Sequence, residues 1–279
     1  MEPDTDPLTA AIDAGSPLVV LSPHLDDAVL SCGGLLSYAA GRTAVRVVTF
    51  FTEAGIPPYT ISGRRYLRQV GQPDAERLYR ERRAEDCEVL ERLGVDWLHL
   101  GLSDGLFRRK PATSGRRVGW AHRVLPELAY VYPTYRLHIS AGRISRRDTD
   151  TLGHVRAALE RLMSPPHTVL LAPAGVGGHV DHVIVRTAAE RTDRPVVYYS
   201  DFPYNQRHGF DPGFVGRNGL GTVEWSRDLA AKSPLVRGYR SQAGALFPGG
   251  RIPLAPEIYL LAGSERGSGA LIGGPPWPS

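Results

Sequence analysis

Short apolar runs alternate with longer amphipathic stretches along most of the chain. Runs rich in β-branched and aromatic side chains are typical of buried strands, and stretches whose apolar residues recur at helical spacing are typical of helices. The predicted strands cover residues 18–21, 44–52, 95–100, 168–172, 196–200 and 257–261. The predicted helices cover residues 28–40, 73–93, 148–163 and 181–191.

This order of elements predicts the fold class. Strands that alternate with helices form βαβ units, so we expect a Rossmann-like α/β fold with a mostly parallel sheet and helices on both faces. Residues 55–72 and 103–144 are expected to be irregular connections, the second with one short helix. We expect a single domain over 1–279, with a core at about 14–200 and a loop-rich C-terminal region, 201–279, that packs on the sheet or covers the site.

Composition narrows the class of protein. Apolar residues make up 42% and charged residues 22% of the chain, as in ordinary globular proteins. No apolar run approaches the roughly 18 residues that a membrane helix needs, and the acidic start has no secretory signal, so we expect no membrane insertion and a cytoplasmic location. Cys32 and Cys87 are too far apart for a CxxC motif and too few for a disulfide scaffold.

The charge pattern argues against a nucleic-acid partner. The net charge is +4, but nearly all the basic residues are Arg. Such a preference is typical of a genome-wide codon bias and does not indicate a surface selected to bind phosphates. The basic residues alternate with acids, and interspersed signs create little long-range field. The densest basic clusters, at 108–110 and 146–147, are short. We expect a small-molecule partner instead; the oligomeric state cannot be predicted from these features.

The first candidate chemistry follows the first predicted strand, which runs into SPHLDD at 22–27. A dinucleotide-binding domain has G-x-G-x-x-G at this point, so a nicotinamide or flavin cofactor is disfavoured. The turn instead carries His24, Asp26 and Asp27. Asp27 alone would be an ordinary helix cap, but adjacent carboxylates repel unless a cation or a proton separates them. The turn therefore indicates a metal site.

A second cluster, GVGGHVDH at 175–182, follows another predicted strand. His179 and His182 can share one face at a helix start, and Asp181 can accept a ring N–H from a histidine. Carboxyl ends of parallel strands lie at the same edge of the sheet, so both clusters are expected to meet there. Two histidines and a carboxylate around an open position form the ligand set of a hydrolytic zinc centre, and the remaining acid and histidine are available for proton transfer and charge stabilisation.

SPHLDDAVLSCGG followed by GHVDH resembles the zinc-dependent N-acetylglucosaminyl deacetylases, which comprise the LmbE-like enzymes and the phosphatidylinositol-glycan deacetylase group. The resemblance covers about 18–200 and implies one Zn²⁺ per chain, with Fe²⁺ as the alternative metal. The implied roles are metal ligand for His24, Asp27 and His182, general base for Asp26, oxyanion stabilisation for His179, and orientation of His179 for Asp181.

The resemblance also concerns the substrate. Arg82 and Asp104 match residues that contact sugar hydroxyls in members acting on sugar–inositol substrates, although Arg82 also fits a surface ion pair on its own helix. The chain departs from the family motif at Leu25 and Ala28, neither of which is a ligand. It also has Gly177 where some thiol-pathway members place an assisting Tyr, which predicts a more open site and a bulkier acceptor.

The resulting hypothesis is metal-dependent hydrolysis of an N-acetyl amide on an N-acetylglucosaminyl substrate, giving acetate and a free amino sugar. A secondary-metabolite glycoside, as in antibiotic biosynthesis, is the expected substrate. Three alternatives remain: an amidase of a sugar–thiol conjugate, a non-catalytic binding module, and an Fe(II) oxygenase with a facial triad of His24, Asp26 and His182. Asp201 and Tyr204, after the strand at 196–200, either line the pocket or pack at the strand end.

Overall fold

A computed structural model describes residues 6–111, 125–162 and 167–262 of the chain. A central sheet contains seven strands. In chain order they are β1 (Leu18–Ser22), β2 (Val45–Thr49), β3 (Asp96–His99), β4 (Val169–Pro173), β5 (Val196–Tyr199), β6 (Leu220–Trp225) and β7 (Glu257–Ala262). Across the sheet their order is β3-β2-β1-β4-β5-β7-β6. The strands from β3 to β5 pair in parallel, and β7 is antiparallel to both of its neighbours.

Helices cover both faces of the sheet. They are α1 (Pro7–Asp13), α2 (Asp27–Ala39), α3 (Ile61–Gln69), α4 (Ala75–Leu93), α5 (Thr149–Leu162), α6 (Val180–Ala189), α7 (Pro212–Arg217), α8 (Leu229–Val236) and α9 (Arg240–Leu246). Successive residues of β1 belong to different cores: Val20 packs with α2, and Leu21 packs with α6. A strand buried on both faces needs a continuous apolar run, which is what the sequence has there. The α/β, Rossmann-like fold class is confirmed.

The fold positions the candidate site at the centre of the sheet. β1 and β4 are adjacent, with Leu18 paired to Val169, and their connections leave on opposite sides. This is the point in an open α/β sheet where a crevice forms at the carboxyl ends of the strands. The turns after β1 and β4 carry the two predicted clusters, so the expected meeting of the clusters at one edge is observed.

The four helices and six strands predicted with bounds are present, with ends shifted by one to a few residues. Met163, in the predicted helix 148–163, and residues 112–124, in the connection predicted over 103–144, lie outside the described residues. The prediction of an irregular connection over 55–72 is wrong in part, because it contains α3. Thr60 caps that helix by accepting a hydrogen bond from the backbone N–H of Gly63 at 3.0 Å. The helix buries only Gly63 and Leu67, so it leaves a weak apolar pattern.

The C-terminal region contains more structure than its Gly- and Pro-rich sequence indicates. It adds β6 and β7 to the sheet, and Glu257 at the start of β7 accepts hydrogen bonds from the backbone N–H groups of Gly34 and Leu35 inside α2. The buried Lys232 ammonium lies 3.2 Å from the same carboxylate. In the part of the chain that the structure describes, none of the helices has the length and apolar character required to cross a membrane.

Candidate metal centre

The turn after β1 keeps its carboxylates free for chemistry. Ser22 ends the strand, donates its hydroxyl to the His24 carbonyl oxygen at 2.7 Å, and accepts from the Ala28 N–H at 3.0 Å. Asp26 precedes α2 with φ of 155°, a region that side-chain-bearing residues rarely adopt, and its side chain makes no cap hydrogen bond. The capping role considered for Asp27 is therefore unnecessary, because the Ser22 hydroxyl serves the helix start.

The turn after β4 orients His179. Its ring nitrogen Nδ1 accepts a hydrogen bond from the backbone N–H of Asp181 at 3.3 Å, at the start of α6. In a neutral imidazole the other nitrogen, Nε2, then carries the proton. His179 lines the pocket, so this N–H is available as a donor there.

Gly177 does not open the site as expected. Its φ is +83°, and a Cβ built on it would lie 3.0 Å from the Cβ of Tyr204. The Tyr204 ring fills this space and meets the His182 ring edge-on, with centroids 5.9 Å apart. Tyr204, which follows β5, therefore occupies the volume that a side chain at position 177 would fill.

The two turns converge on one carboxylate oxygen. Oδ2 of Asp27 lies 3.1 Å from Nδ1 of His24 and 3.2 Å from Nε2 of His182, and all three residues are buried. Zinc–ligand bonds of about 2.0–2.2 Å in a tetrahedral site separate neighbouring ligand atoms by about 3.4 Å. The observed separations are close to this value.

His182 provides the test of whether a cation fits. Its Nε2 is buried and, despite its proximity to Asp27, makes no hydrogen bond to any described residue. A buried polar atom without a partner is costly, and a metal ion would satisfy it. Ring nitrogens of His24, His179 and His182 also lie within 4.8 Å of one another. The donor set of imidazoles and carboxylate therefore fits a divalent metal.

In His24 and His182, the ring nitrogen that points away from Asp27 contacts a second carboxylate. Nδ1 of His182 lies 2.6 Å from Oδ1 of Asp201, whose other oxygen accepts the Val176 N–H at 2.7 Å. Nε2 of His24 lies 3.1 Å from Oδ2 of Asp181. Such partners set the tautomer and orientation of metal-binding histidines. Asp201 is thus a buried support of the site.

The role expected for Asp181 needs correction. Its carboxylate bonds His24, the backbone N–H of Gly105 at 2.8 Å and the Arg108 guanidinium at 2.5 Å. The contact with His179 comes from the Asp181 backbone instead. The reason is geometric: at the first turn of α6 the backbone N–H faces the capping ring, which leaves the side chain to face the β1 turn.

Arg108 supports the candidate site, although nothing in the sequence singles it out from the short basic cluster at 108–110. It is 5% exposed, bridges Asp181 and Asp148 at 2.5 Å each, and stacks on Phe51 with its guanidinium carbon 4.6 Å from the ring centroid. Arg108 is buried and its neighbour Arg109 is not, only because of the path that the loop after β3 follows. A local sequence pattern therefore cannot distinguish the two residues.

Arg82 and Asp104, the expected substrate contacts, also line the pocket. Nη2 of Arg82 lies 3.3 Å from Oδ1 of Asp26, and both side chains are buried, so the alternative of a surface ion pair is not observed. Asp104 accepts hydrogen bonds from the Tyr79 hydroxyl and from the Leu106 N–H.

The ionisable groups reflect this crowding. Burial raises the pKa of Asp26 to about 7, and the Arg82 guanidinium acts in the opposite direction. Burial, with the neighbouring His24, lowers the pKa of His179 to about 3 and keeps its ring neutral. Burial disfavours charge on His24, but the surrounding carboxylates, Asp104 first, outweigh it and raise its pKa to about 9. The acids at the floor therefore favour a positive charge where the His24 ring meets Asp27.

A cavity of about 850 Å³ opens above these residues. Its floor contains His24, Asp26, Asp27 and His179. Its walls come from α3 and from the C-terminal region, which contributes Tyr204. The space is large enough for a sugar with an attached group.

Comparisons with known proteins agree with this architecture. A family model described as PIG-L, GlcNAc-PI de-N-acetylase, matches residues 19–192. The 2'-N-acetylparomamine deacetylase of Streptomyces fradiae is 30% identical over 219 residues, which cover 75% of this chain and 65% of that relative. The match thus spans slightly less than two thirds of the relative.

Solved structures show the same fold. The zinc-inhibited form of a teicoplanin deacetylase superposes with a TM-score of 0.65 at 24% identity, over 90% of this chain and 100% of that chain. A deacetylase of the A40926 pseudoaglycone superposes with a TM-score of 0.60 at 21% identity, with the same coverage of both chains.

Proposed function

Because this chain belongs to the PIG-L, GlcNAc-PI de-N-acetylase family, whose model matches more than half of its length, we propose that it is a metal-dependent deacetylase of an amino-sugar glycoside. The reaction is hydrolysis of the N-acetyl amide to acetate and a free amine, on a glycoside of secondary metabolism. The convergence of His24 and His182 on Asp27, with Asp26 beside them and free of capping, is the observation that carries the proposal.

His24, Asp27 and His182 would hold the metal, and zinc is the ion that we propose. When bound, a divalent cation supplies a Lewis acid for the acyl oxygen and lowers the pKa of water. The 2'-N-acetylparomamine deacetylase and the teicoplanin and A40926 deacetylases support an antibiotic-type glycoside as substrate.

Asp26 is the proposed proton carrier. It accepts a proton from water as the water oxygen bonds to the amide carbon, and it returns that proton to the nitrogen as the carbon–nitrogen bond breaks. Arg82, 3.3 Å away, fixes the position of this carboxylate. Burial, which favours the neutral acid, suits a group that must gain and lose a proton in each turnover.

His179 is the proposed donor to the oxyanion. Its ring is neutral, with Nδ1 occupied by the Asp181 N–H, so Nε2–H can donate to negative charge that develops on the acyl oxygen. One such donor typically contributes about 100- to 1000-fold in rate.

The Fe(II) oxygenase alternative uses Asp26 as a metal ligand. Asp26 instead pairs with Arg82, and Asp27 faces both histidines. A hydrolytic role for the centre is therefore the better supported one.

The test is acetate release from propyl N-acetylglucosaminide by the zinc-loaded protein, with loss of one acetyl group followed by mass spectrometry. Asp26→Asn should lower the rate about 100- to 10,000-fold, because the amide cannot accept the proton. Asp150→Asn, an exposed position on α5, is the matched control. Release of a longer acyl group, with N-acetyl substrates inert, would instead identify an amidase; unchanged turnover by Asp26→Asn would reject the proton carrier.

A further inference from the structure

Charge is unevenly distributed along the cavity. Its described lining contains three acids, Asp26, Asp27 and Asp104, and all belong to the floor around the His24 ring. Apart from the histidines, the remaining ionisable basic residues of that lining are arginines: Arg82 at the floor, and Arg65 and Arg136 on the walls. The floor is thus acidic, whereas the walls are basic.

Arg65 and Arg136 differ from the arginines that support the site. Arg82 and Arg108 are buried and paired with carboxylates. Arg65 and Arg136 are exposed, and neither makes an ion pair or a side-chain hydrogen bond with the rest of the described chain. Guanidinium groups that line a cavity and have no partner among the described residues are available to bind a ligand.

The two arginines come from wall segments that are in contact. The backbone N–H of Tyr135 donates to the hydroxyl of Ser62 at 3.2 Å, which joins the turn before Arg136 to the first turn of α3. Arg65 lies one helical turn after Ser62. The Tyr135 ring in turn meets the ring of His179, with centroids 6.4 Å apart. This basic wall therefore adjoins the candidate catalytic centre.

A ligand's charge decides whether it suits this wall. A glycoside with further ammonium groups, as aminoglycosides have, would place cations beside Arg65 and Arg136 without a carboxylate among the described wall residues. A carboxylate or phosphate would instead receive charge-assisted hydrogen bonds from guanidinium groups, which bind such planar or multi-oxygen anions in forked geometry. Complementary charge also excludes wrong partners.

We propose that the substrate carries an anionic group, a carboxylate or a phosphate, on the part of the glycoside beyond the amino sugar, and that Arg65 and Arg136 bind it. This inference rests on the proposed deacetylase function and narrows its substrate class. The N-acetyl group lies at the acidic floor, and the anion lies against the basic wall.

The test uses four N-acetylglucosaminides that differ only in the attached group: propyl, aminopropyl, carboxypropyl and phosphopropyl. We expect kcat/KM for the two anionic probes to exceed that for propyl about tenfold, with aminopropyl the poorest. The preference should weaken as salt is added, because exposed charges are screened. Preference for phosphopropyl alone would identify phosphate as the anion; equal rates, or a preference for aminopropyl, would overturn the proposal.

Charge-reversal substitutions test which arginines cause the preference for anionic probes. Arg65→Glu and Arg136→Glu should each remove the preference for the anionic probes over the propyl probe. Arg64→Glu changes the net charge equally on the same helix, is exposed, and lies outside the cavity lining, so it should keep the wild-type preference. Loss of preference in Arg64→Glu alone, or its retention in both wall variants, would contradict the assignment.

Calorimetric binding of the four glycosides separates this inference from the proposed function. Tighter binding of the anionic probes with no acetate released from any of them would reject the deacetylase proposal and support the anion site. Release of acetate with no charge dependence in binding or turnover would support the deacetylase and reject the anion site.

Discussion

His24 and His182 each face the candidate metal position with one ring nitrogen and a buried carboxylate with the other. A ring nitrogen of His179 lies within 4.8 Å of theirs, but the Nδ1 atom of His179 accepts a backbone N–H. The three imidazoles therefore differ in what the protein does with their second nitrogen. This difference assigns two of them to metal binding and the third to catalysis in our proposal.

Replacement of single histidines tests that division. His182→Ala should lose bound zinc, whereas His179→Ala should retain it and lose about 100- to 1000-fold in rate, since an oxyanion donor is removed. Metal content by plasma emission, measured beside acetate release, distinguishes the two. Equal zinc loss in both variants would mean that His179 is itself a ligand.

Gly177 is a second position where one residue decides local structure. Gly177→Ala should destabilise the protein by about 1–3 kcal/mol, because a positive φ disfavours any side chain and the new methyl would crowd Tyr204. Urea unfolding measures the loss. Gly153→Ala, on α5 with open space around it, is the control and should not destabilise. An unchanged midpoint for Gly177→Ala would show that Tyr204 moves without cost.

At the scale of elements, the ends of β4 and β5 cooperate. Asp201, just after β5, holds both the ring of His182 on α6 and the backbone of Val176 after β4. One carboxylate thus connects a strand end, a glycine-rich turn and a helix start. The candidate ligand His182 is therefore positioned by a residue that follows another strand, 19 positions later in the chain.

Asp201→Ala should weaken zinc affinity about 10- to 100-fold, because His182 loses the partner that sets its tautomer. Competition with a chromogenic chelator gives the affinity independently of turnover. Asp201→Asn keeps an acceptor without the charge and should fall between Ala and wild type. Asp193→Ala, an exposed acid before β5, should bind zinc normally. Unchanged zinc affinity in Asp201→Ala would show that Asp201 does not position His182 for metal binding.

At the scale of the whole molecule, the C-terminal region is coupled to the core beneath the site. α2 departs from helical geometry at Cys32, and Glu257 accepts the freed N–H groups of Gly34 and Leu35. Lys232 neutralises this buried carboxylate. The helix that begins at the candidate metal centre, α2, is therefore stabilised by β7.

Removal of either charge should destabilise the fold, to different extents. Glu257→Leu should cost about 3–5 kcal/mol, because it leaves a buried ammonium and two backbone donors unpaired. Lys232→Met should cost less, because Glu257 keeps its backbone donors. Urea unfolding of both variants and of the double variant measures the coupling. A smaller loss for Glu257→Leu than for Lys232→Met would contradict this account.

By itself the sequence determined the α/β class, the order of the central elements and the two turns that carry the candidate site residues. The reason is that hydrophobic periodicity and turn residues are local properties of a sequence. The sequence also predicted five of the side chains that converge at the candidate site: His24, Asp26, Asp27, His179 and His182. Only the tertiary structure decided what supports them. Arg108, Asp201 and Tyr204 reach the site through contacts between segments far apart in the chain, and a local pattern contains no information on which distant carboxylate, guanidinium or ring will face a given atom.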